Sequence, residues 1–469
     1  MKYKKYIMSL ILLFVIIIGA VCFEFENDTF YSIKIGEDIF KYGIDFIDHH
    51  SFFDLSYSYP HIIFDSLVYL FYSIMNFKGL YLLTIIFTFI FCISLFFVNN
   101  KLSKNFVFSL FFTLLSIMCL KNFFALRAQI FSMTIFLFQY YFLYSLFKEK
   151  KKLHTLFLFL FGVLLVNTHV ATYPFFLIMF IPFIIASKFR KDIVLSFILC
   201  CLCGFVSFMG IDSYTYLVNT LLNNTMYYIE EHQPLILAKL PFEALFLFII
   251  MWMFGTKKIK LELYDIIILV IVVFMSFSSV RHILFLNMFT LVLLCKYLGS
   301  FLLTKEKKEI IKIENFVFSV KGFVIVFLFV SLLSIMSIIS YNRYKFIDEK
   351  KYPVDAAKYI KDNIDYKNVR IFNDINIGSY LMLNDIPVFI DSRTDLYTYT
   401  YNHKRDIFND YVNVLFFNKY YEDIFSFYDI DYVLMSKNQN INVYLNRDTN
   451  YDIIYEDDYF VLFERNVND

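Results

Sequence analysis

The sequence predicts a polytopic α-helical membrane protein that carries a C-terminal extracytoplasmic α/β domain. Three observations point there. Hydrophobic residues fill 59% of the 469 positions, with 62 phenylalanines among them, and a soluble domain of that length cannot enclose so much apolar surface. About eleven apolar runs of roughly membrane-spanning length recur before residue 340. Lysines gather in short clusters between those runs, whereas 341–469 is polar and free of cysteine.

The first run, 6–23, follows Met1-Lys-Tyr-Lys-Lys and has no small-x-small cleavage site after it. It reads as a retained helix with its basic end in the cytoplasm. Further runs lie at 79–98, 105–120, 128–147, 153–167, 171–187, 192–210, 242–255, 263–279, 283–300 and 321–340. A helix needs ~20 residues to cross the hydrocarbon core, and shorter runs are tolerated.

The apolar stretch 61–75 is short and carries Asp65. A carboxylate at mid-membrane costs about 2.5–3.5 kcal/mol. If this stretch crossed, the basic loops at Lys101/Lys104, 148–152, 188–191, 257–260 and 305–312 would all fall outside. If it lies in the outer interface, all of them fall inside, as the positive-inside rule prefers. The expected organisation is therefore a transmembrane domain over 1–340, with an outer first loop at 24–78 that includes a juxtamembrane helix at about 61–75. The extracytoplasmic domain follows at 341–469, in a multi-pass protein of the cytoplasmic membrane with its N-terminus inside.

Within 341–469, Pro353 opens a predicted helix to 364. Strands are expected at 369–373, 388–391 and 432–435, and helices at 403–417 and 421–428. A closing hairpin pairs 451–455 with 459–464 around Asp457-Asp458.

A net charge of +1 gives no footprint for a nucleic-acid partner. The seven cysteines sit in or beside apolar runs with neither metal-ligand spacing nor a disulfide framework. The polar residues gather instead at the ends of runs predicted to face outward. They include Asp28, Asp45, Asp48, His49 and His50 in the first loop, then Arg127, His169, Glu231 and Arg281.

Each has two readings. Arg127 and Arg281 run against the orientation bias. They suit a lipid-carrier phosphate, which guanidinium binds bidentately, or they pair with local carboxylates or headgroups. Asp28, where the first helix ends, is either a base acting on a hydroxyl or the N-cap of the following helix. Asp48, His49 and Glu231 offer ligands for a sugar or a divalent cation, or belong to solvated loops. Asp391 and Arg393 share a face after a strand, as a buried ion pair or as a recognition site for substrate.

Several short motifs carry a family likeness. They are Asp28-Thr-Phe-Tyr-Ser-Ile-Lys-Ile-Gly36, Asp45-Phe-Ile-Asp48-His-His-Ser-Phe, Arg127-Ala-Gln129, Asn167-Thr-His169, Glu231-His-Gln-Pro234, and Val388-Phe-Ile-Asp391-Ser-Arg393-Thr-Asp395-Leu-Tyr397. Through them the chain resembles the GT-C superfamily of integral-membrane glycosyltransferases. The resemblance implies a sugar donor carried on a polyprenyl phosphate and transfer to a glycan, lipid or protein acceptor on the outer face. It implies Asp28 as the catalytic group and Arg127 as a donor-phosphate contact. Asn27 and Thr29 flank Asp28 where members often carry a second acidic residue. Two other functions fit the same composition: a transporter of lipid-linked sugars, and a non-catalytic protein of envelope assembly. Transporters place ionisable groups within their spans, and these runs read as almost purely apolar.

Overall fold

The computed structural model describes residues 2–21, 24–222, 228, 233–234, 236, 241–255, 259–341 and 345–466. Along the chain, helix α1 (Lys2–Ala20) leads to α2 (Asn27–Tyr42) and α3 (Ile62–Ser103). Next come α4 (Phe106–Leu120), α5 (Ala128–Glu149), α6 (Leu153–Thr168), α7 (Tyr173–Ile178), α8 (Ile181–Ala186), α9 (Lys191–Cys201) and α10 (Asp212–Leu222). Helices α11 (Pro241–Gly255), α12 (Leu263–Ser278), α13 (Ile283–Lys305), α14 (Lys307–Val317) and α15 (Val320–Tyr341) complete the apolar part. The polar part holds α16 (Val354–Asn363), β1 (Ile371–Asn373), α17 (Ile375–Leu383), α18 (Tyr399–Asn402), α19 (Ile407–Leu415) and α20 (Tyr421–Phe427). It ends with β2 (Tyr432–Ser436), α21 (Ile441–Leu445), β3 (Tyr451–Glu456) and β4 (Phe460–Arg465).

The protein is a helical membrane protein. Among the described residues, six helices are long and apolar enough to cross a bilayer: α1, α3, α4 with the turn after it, α5, α13 with the turn before it, and α15. Four shorter apolar segments accompany them, at Leu153–Thr168, Val170–Ala186, Pro241–Met253 and Leu263–Ser278. Eleven continuous crossings are not confirmed among the described residues. The expected span at 192–210 is helical only over the 11 residues of α9, followed by a 3-10 turn at Cys203–Val206 and a positive φ at Gly210. At 1.5 Å per residue such a helix covers roughly half of a 30 Å core. The span at 171–187 divides into α7 and α8, the second with Pro182 in its first turn.

The chain divides into two compact units. One comprises the described residues of 1–23, 80–207 and 226–343. The other comprises those of 24–79, 208–225 and 344–469. Helix α3 contributes to both, and it is broken at Asn76, whose backbone (φ 51, ψ −143) is not helical.

In the apolar unit, α5 and α13 run side by side in the same direction. Phe136 meets Phe285 with ring centroids 5.0 Å apart, and one turn further on Tyr140 meets Phe289 at 6.1 Å. In the polar unit a four-stranded sheet has the order β1-β2-β4-β3. The β1–β2 pair is parallel and the other two are antiparallel. The predicted hairpin is present, and Asp457 makes its turn by accepting from the backbone N–H of Tyr459 (2.7 Å) and Phe460 (2.8 Å). The predicted helix 403–417 begins only at Ile407, because His403 takes a left-handed conformation that ends α18.

The stretch 388–391 is buried but is not a strand. It makes one parallel bridge, Ser51 to Val388, so its backbone pairs with the first loop rather than with the sheet. That loop folds back on itself, with Asp48 N donating to Leu55 O (2.9 Å) and Tyr57 N to Phe46 O (2.9 Å). It plants Phe53 against Phe389 and Tyr428, at 5.6 Å from each. Leu55, Tyr57 and Tyr59 thereby join the same core as Phe372, Tyr411 and Phe425.

Candidate functional site

A dense buried polar cluster lies in the polar unit and centres on Arg393. Its Nε and Nη2 donate to the two carboxylate oxygens of Asp391 at 2.9 and 2.7 Å, a bidentate fork. Its Nη1 donates to Asp48 Oδ1 at 2.8 Å. The Tyr397 hydroxyl donates to Asp391 Oδ2 at 2.6 Å, and the guanidinium lies over the Tyr57 ring at 5.1 Å.

Local structure explains the placement. Gly378 in α17 lets 390–391 pass directly over the helix, since a Cβ there would overlap the Ile390 carbonyl. The Asp391 carboxylate also accepts from the backbone N–H of Arg393, which curls the chain so that the side chain returns onto its own neighbour. Asp48 is held by the backbone N–H groups of His50 (3.3 Å) and Ser51 (3.1 Å), as turn-forming aspartates commonly are. Burial alone would raise Asp48's carboxyl, but the charges of Arg393 and His50 and the Ser51 hydroxyl outweigh it and hold the group below its usual range.

The other first-loop candidates point elsewhere. His49 Nε2 meets Asp45 Oδ2 at 2.7 Å, and His50 Nε2 meets Asp38 Oδ2 at 2.5 Å. Asp48, His49 and His50 therefore face three different partners, and among the described residues no group of three His, Cys, Asp or Glu is placed to hold a metal ion. Asp28 stands in the first turn of α2 but does not cap it. The N-cap position is Glu26, and its side chain makes no capping bond. Asn27 ties that helix start to α17 by donating to the carbonyls of Ile375 (3.2 Å) and Asn376 (2.6 Å).

In the apolar unit, Arg127 is the N-cap residue of α5, and Arg281 lies in the turn that leads into α13. Because these two helices run in parallel, both arginines stand at the same end of the unit. His169 joins them there, since its Nδ1 meets the hydroxyl of Ser132, one turn into α5, at 2.7 Å. Glu231 lies outside the described residues.

The spans, read from the sequence as almost purely apolar, hold a buried polar cluster near their ends. Asp265, near the start of α12, pairs with Lys296 of α13, and both are buried. Tyr140 donates to Asp265 Oδ1 at 2.7 Å, Tyr297 donates to Oδ2, and Lys296 also donates to the hydroxyls of Tyr140 (3.1 Å) and Tyr264 (3.2 Å). This cluster occupies the end of the unit opposite Arg127 and Arg281. Its signal in the sequence is one acid and one base at the edges of adjacent apolar runs.

No protein-family model and no curated protein sequence matches the chain.

Proposed function

We propose that the protein transfers a sugar from a polyprenyl-phosphate carrier to an acceptor hydroxyl at the outer face of the cytoplasmic membrane. The observation that supports this most is the composition of the polar unit. Carboxylates, a guanidinium and tyrosines drawn from the first loop and from 388–397 are folded together, in a chain whose flanking helices α1 and α15 are apolar and long enough to cross a bilayer. A lipid-linked sugar needs an apolar anchor, a cation for its phosphate, and carboxylates with aromatic faces for its ring.

In this reading Asp28 takes the proton from the acceptor hydroxyl. The acceptor oxygen bonds to the anomeric carbon as the carbon–oxygen bond to phosphate breaks, and the bonding pair leaves with the polyprenyl phosphate. Arg127 and Arg281 stabilise the leaving phosphate. Arg127 stands at the start of a 22-residue helix, where backbone N–H groups also favour an anion. The polar unit then lies outside the cell and the N-terminus inside, with the lysine clusters on the cytoplasmic side.

The test is transfer of radiolabelled sugar from polyprenyl-phosphate donors in proteoliposomes. Asp28→Asn is expected to fold as the parent does and to lose transfer, and full activity in that variant would reject Asp28 as the base. The Asp265–Lys296 pair favours a second reading, movement of a lipid-linked sugar across the bilayer, because ionisable groups among membrane helices are usually functional. Flipping of labelled carrier lipid without any transfer would select it.

A further inference from the structure

Helix α14 differs from its neighbours in the chain. Helices α13 and α15 are apolar and long enough to cross a bilayer. Helix α14 has 11 residues and carries Lys307, Lys308, Glu309, Lys312 and Glu314. A helix of that size is about 16 Å long and cannot span a core of ~30 Å. It runs across one end of the apolar unit instead. It starts where α13 stops, next to Lys305 and Glu306. Near that stop, Gly299 of α13 lies against Ser103, just before α4. The far end of α14 meets the start of α1, since Lys5 Nζ donates to Glu314 Oε1 and lies over the Phe318 ring at 6.0 Å. That ring also meets Phe106, the first residue of α4, at 5.4 Å. Helix α15 then leaves at once, with Gly322 so close to the Phe316 carbonyl that a Cβ would overlap it.

The residues of α14 divide by face. Ile310 is buried against the bundle. Lys308 and Lys312, one turn apart on the other side, are exposed. Ile313 and Phe316, also one turn apart and flanking the buried face, are 48% and 54% exposed. Large apolar side chains therefore project from a helix that the bundle covers only in part. The charges are uneven as well. Glu314 is taken by Lys5, and Glu309 by Lys312 at 2.7 Å. That leaves Glu306 as the one acid in 305–314 beside Lys305, Lys307 and Lys308, and all four are exposed. Lys4, in the first turn of α1, and Lys104, just before α4, are exposed at the same end.

A helix with an apolar flank and lysines beside it is stable in the headgroup layer of a membrane. Its apolar side chains reach the acyl boundary, and its ammonium groups meet anionic headgroups. We propose that α14 lies in the headgroup layer at this end of the bundle, where Lys305, Lys307 and Lys308 bind anionic phospholipid. Charge complementarity selects a lipid with net negative charge, such as phosphatidylglycerol, over a zwitterionic one. Continuity selects the membrane over a soluble partner. Helices α13 and α15 enter the bilayer from the two ends of α14, which sets Ile313 and Phe316 at the level of the lipid. Lipid binding here does not depend on whether the protein transfers a sugar.

The experiment is quenching of indole fluorescence by brominated lipids, on the full-length protein in vesicles of phosphatidylcholine and phosphatidylglycerol. The chain has one tryptophan, so Trp252→Phe removes the native signal and Phe316→Trp supplies a reporter on α14. The reporter is expected to be quenched most by bromines placed near the headgroup. Phosphatidylglycerol is expected to occupy its surroundings about fivefold more readily than phosphatidylcholine. Lys305→Gln, Lys307→Gln and Lys308→Gln together are expected to bring that preference close to parity. Quenching by brominated phosphatidylcholine should persist in this variant, which shows the helix still seated. The site is overturned if neither lipid quenches the reporter, which gives the face to a soluble partner, or if only bromines deep in the chain do so. It is also overturned if the two lipids quench alike before the lysines are changed, or if the preference survives their loss.

Discussion

Arg393 Nη1 donates to Asp48 Oδ1 at 2.8 Å across 345 residues of sequence. Both side chains are almost completely buried. Removing one member of a buried ion pair leaves the other charge uncompensated and costs about 3–5 kcal/mol. Asp48→Ala and Arg393→Met are each expected to lower the melting temperature of the purified protein. Arg393→Lys is expected to fall nearly as far, because an ammonium cannot span Asp391 bidentately while reaching Asp48. A double-mutant cycle showing no coupling between positions 48 and 393 would contradict the pairing.

The same unit should respond to acid. Burial would raise Asp48, Glu37 and Asp385, yet Arg393 for the first and Lys34 for the other two hold all three below their ordinary values of 3.8, 4.5 and 3.8. A depressed carboxyl contributes stability that is complete above its unfolded value and is lost as pH falls through its folded value. Lys34 has the opposite sign. Burial pulls it down, but Asp385 and Glu37 outweigh that and raise it above 10.5. Its contribution is complete below that value and is lost as pH rises through the folded one. Melting temperature against pH should therefore fall on both flanks, below about pH 4 and above about pH 10.5. Lys34→Met should lessen the loss above pH 10.5 without abolishing it, because burial also holds the Tyr57, Tyr397 and Tyr411 hydroxyls above their ordinary value, and a flank unchanged by it would count against the Lys34–Asp385 pair.

Much of this architecture was legible in residue patterns, and what escaped has a physical reason. Apolar runs announce helices because each side chain adds to a local sum, and α1, α4, α5, α13 and α15 fall where such runs were expected. The spacing of Asp391 and Arg393 marked them as sharing a face. Their third partner, Asp48, carries no local signal, since nothing near position 48 specifies a guanidinium 345 residues away. The strand expected at 388–391 failed for the same reason: its pairing partner is Ser51, in the first loop. Asp265 and Lys296 were averaged away by the apolar residues around them. Asp65 was visible only as an obstacle to membrane insertion.

Close approach between α2 and the start of α3 depends on Gly36. A Cβ there would overlap the Asp65 carbonyl and the Tyr69 side chain, and at Gly378 it would overlap the Ile390 carbonyl. Forcing atoms into packed sites costs about 1–3 kcal/mol. Gly36→Ala and Gly378→Ala should each destabilise the protein by at least that, whereas Gly255→Ala, which meets open space, should be neutral in the same unfolding assay. A tolerated alanine at 36 would mean that α2 does not pack there.

The Asp265–Lys296 pair allows structure and transport to be told apart. Either single change, Asp265→Leu or Lys296→Met, strands a charge among apolar helices and should lower stability by about 3–5 kcal/mol. Changing both together removes the stranded charge, and such replacements are often neutral or stabilising. The double variant should therefore regain most of the parent's melting temperature, although the Tyr140 and Tyr297 hydroxyls lose their common acceptor. If the pair only braces α12 against α13, this rescued protein should also keep its activity in proteoliposomes. A variant that is stable yet no longer moves labelled carrier lipid, in vesicles where the parent does, would assign the pair to transport.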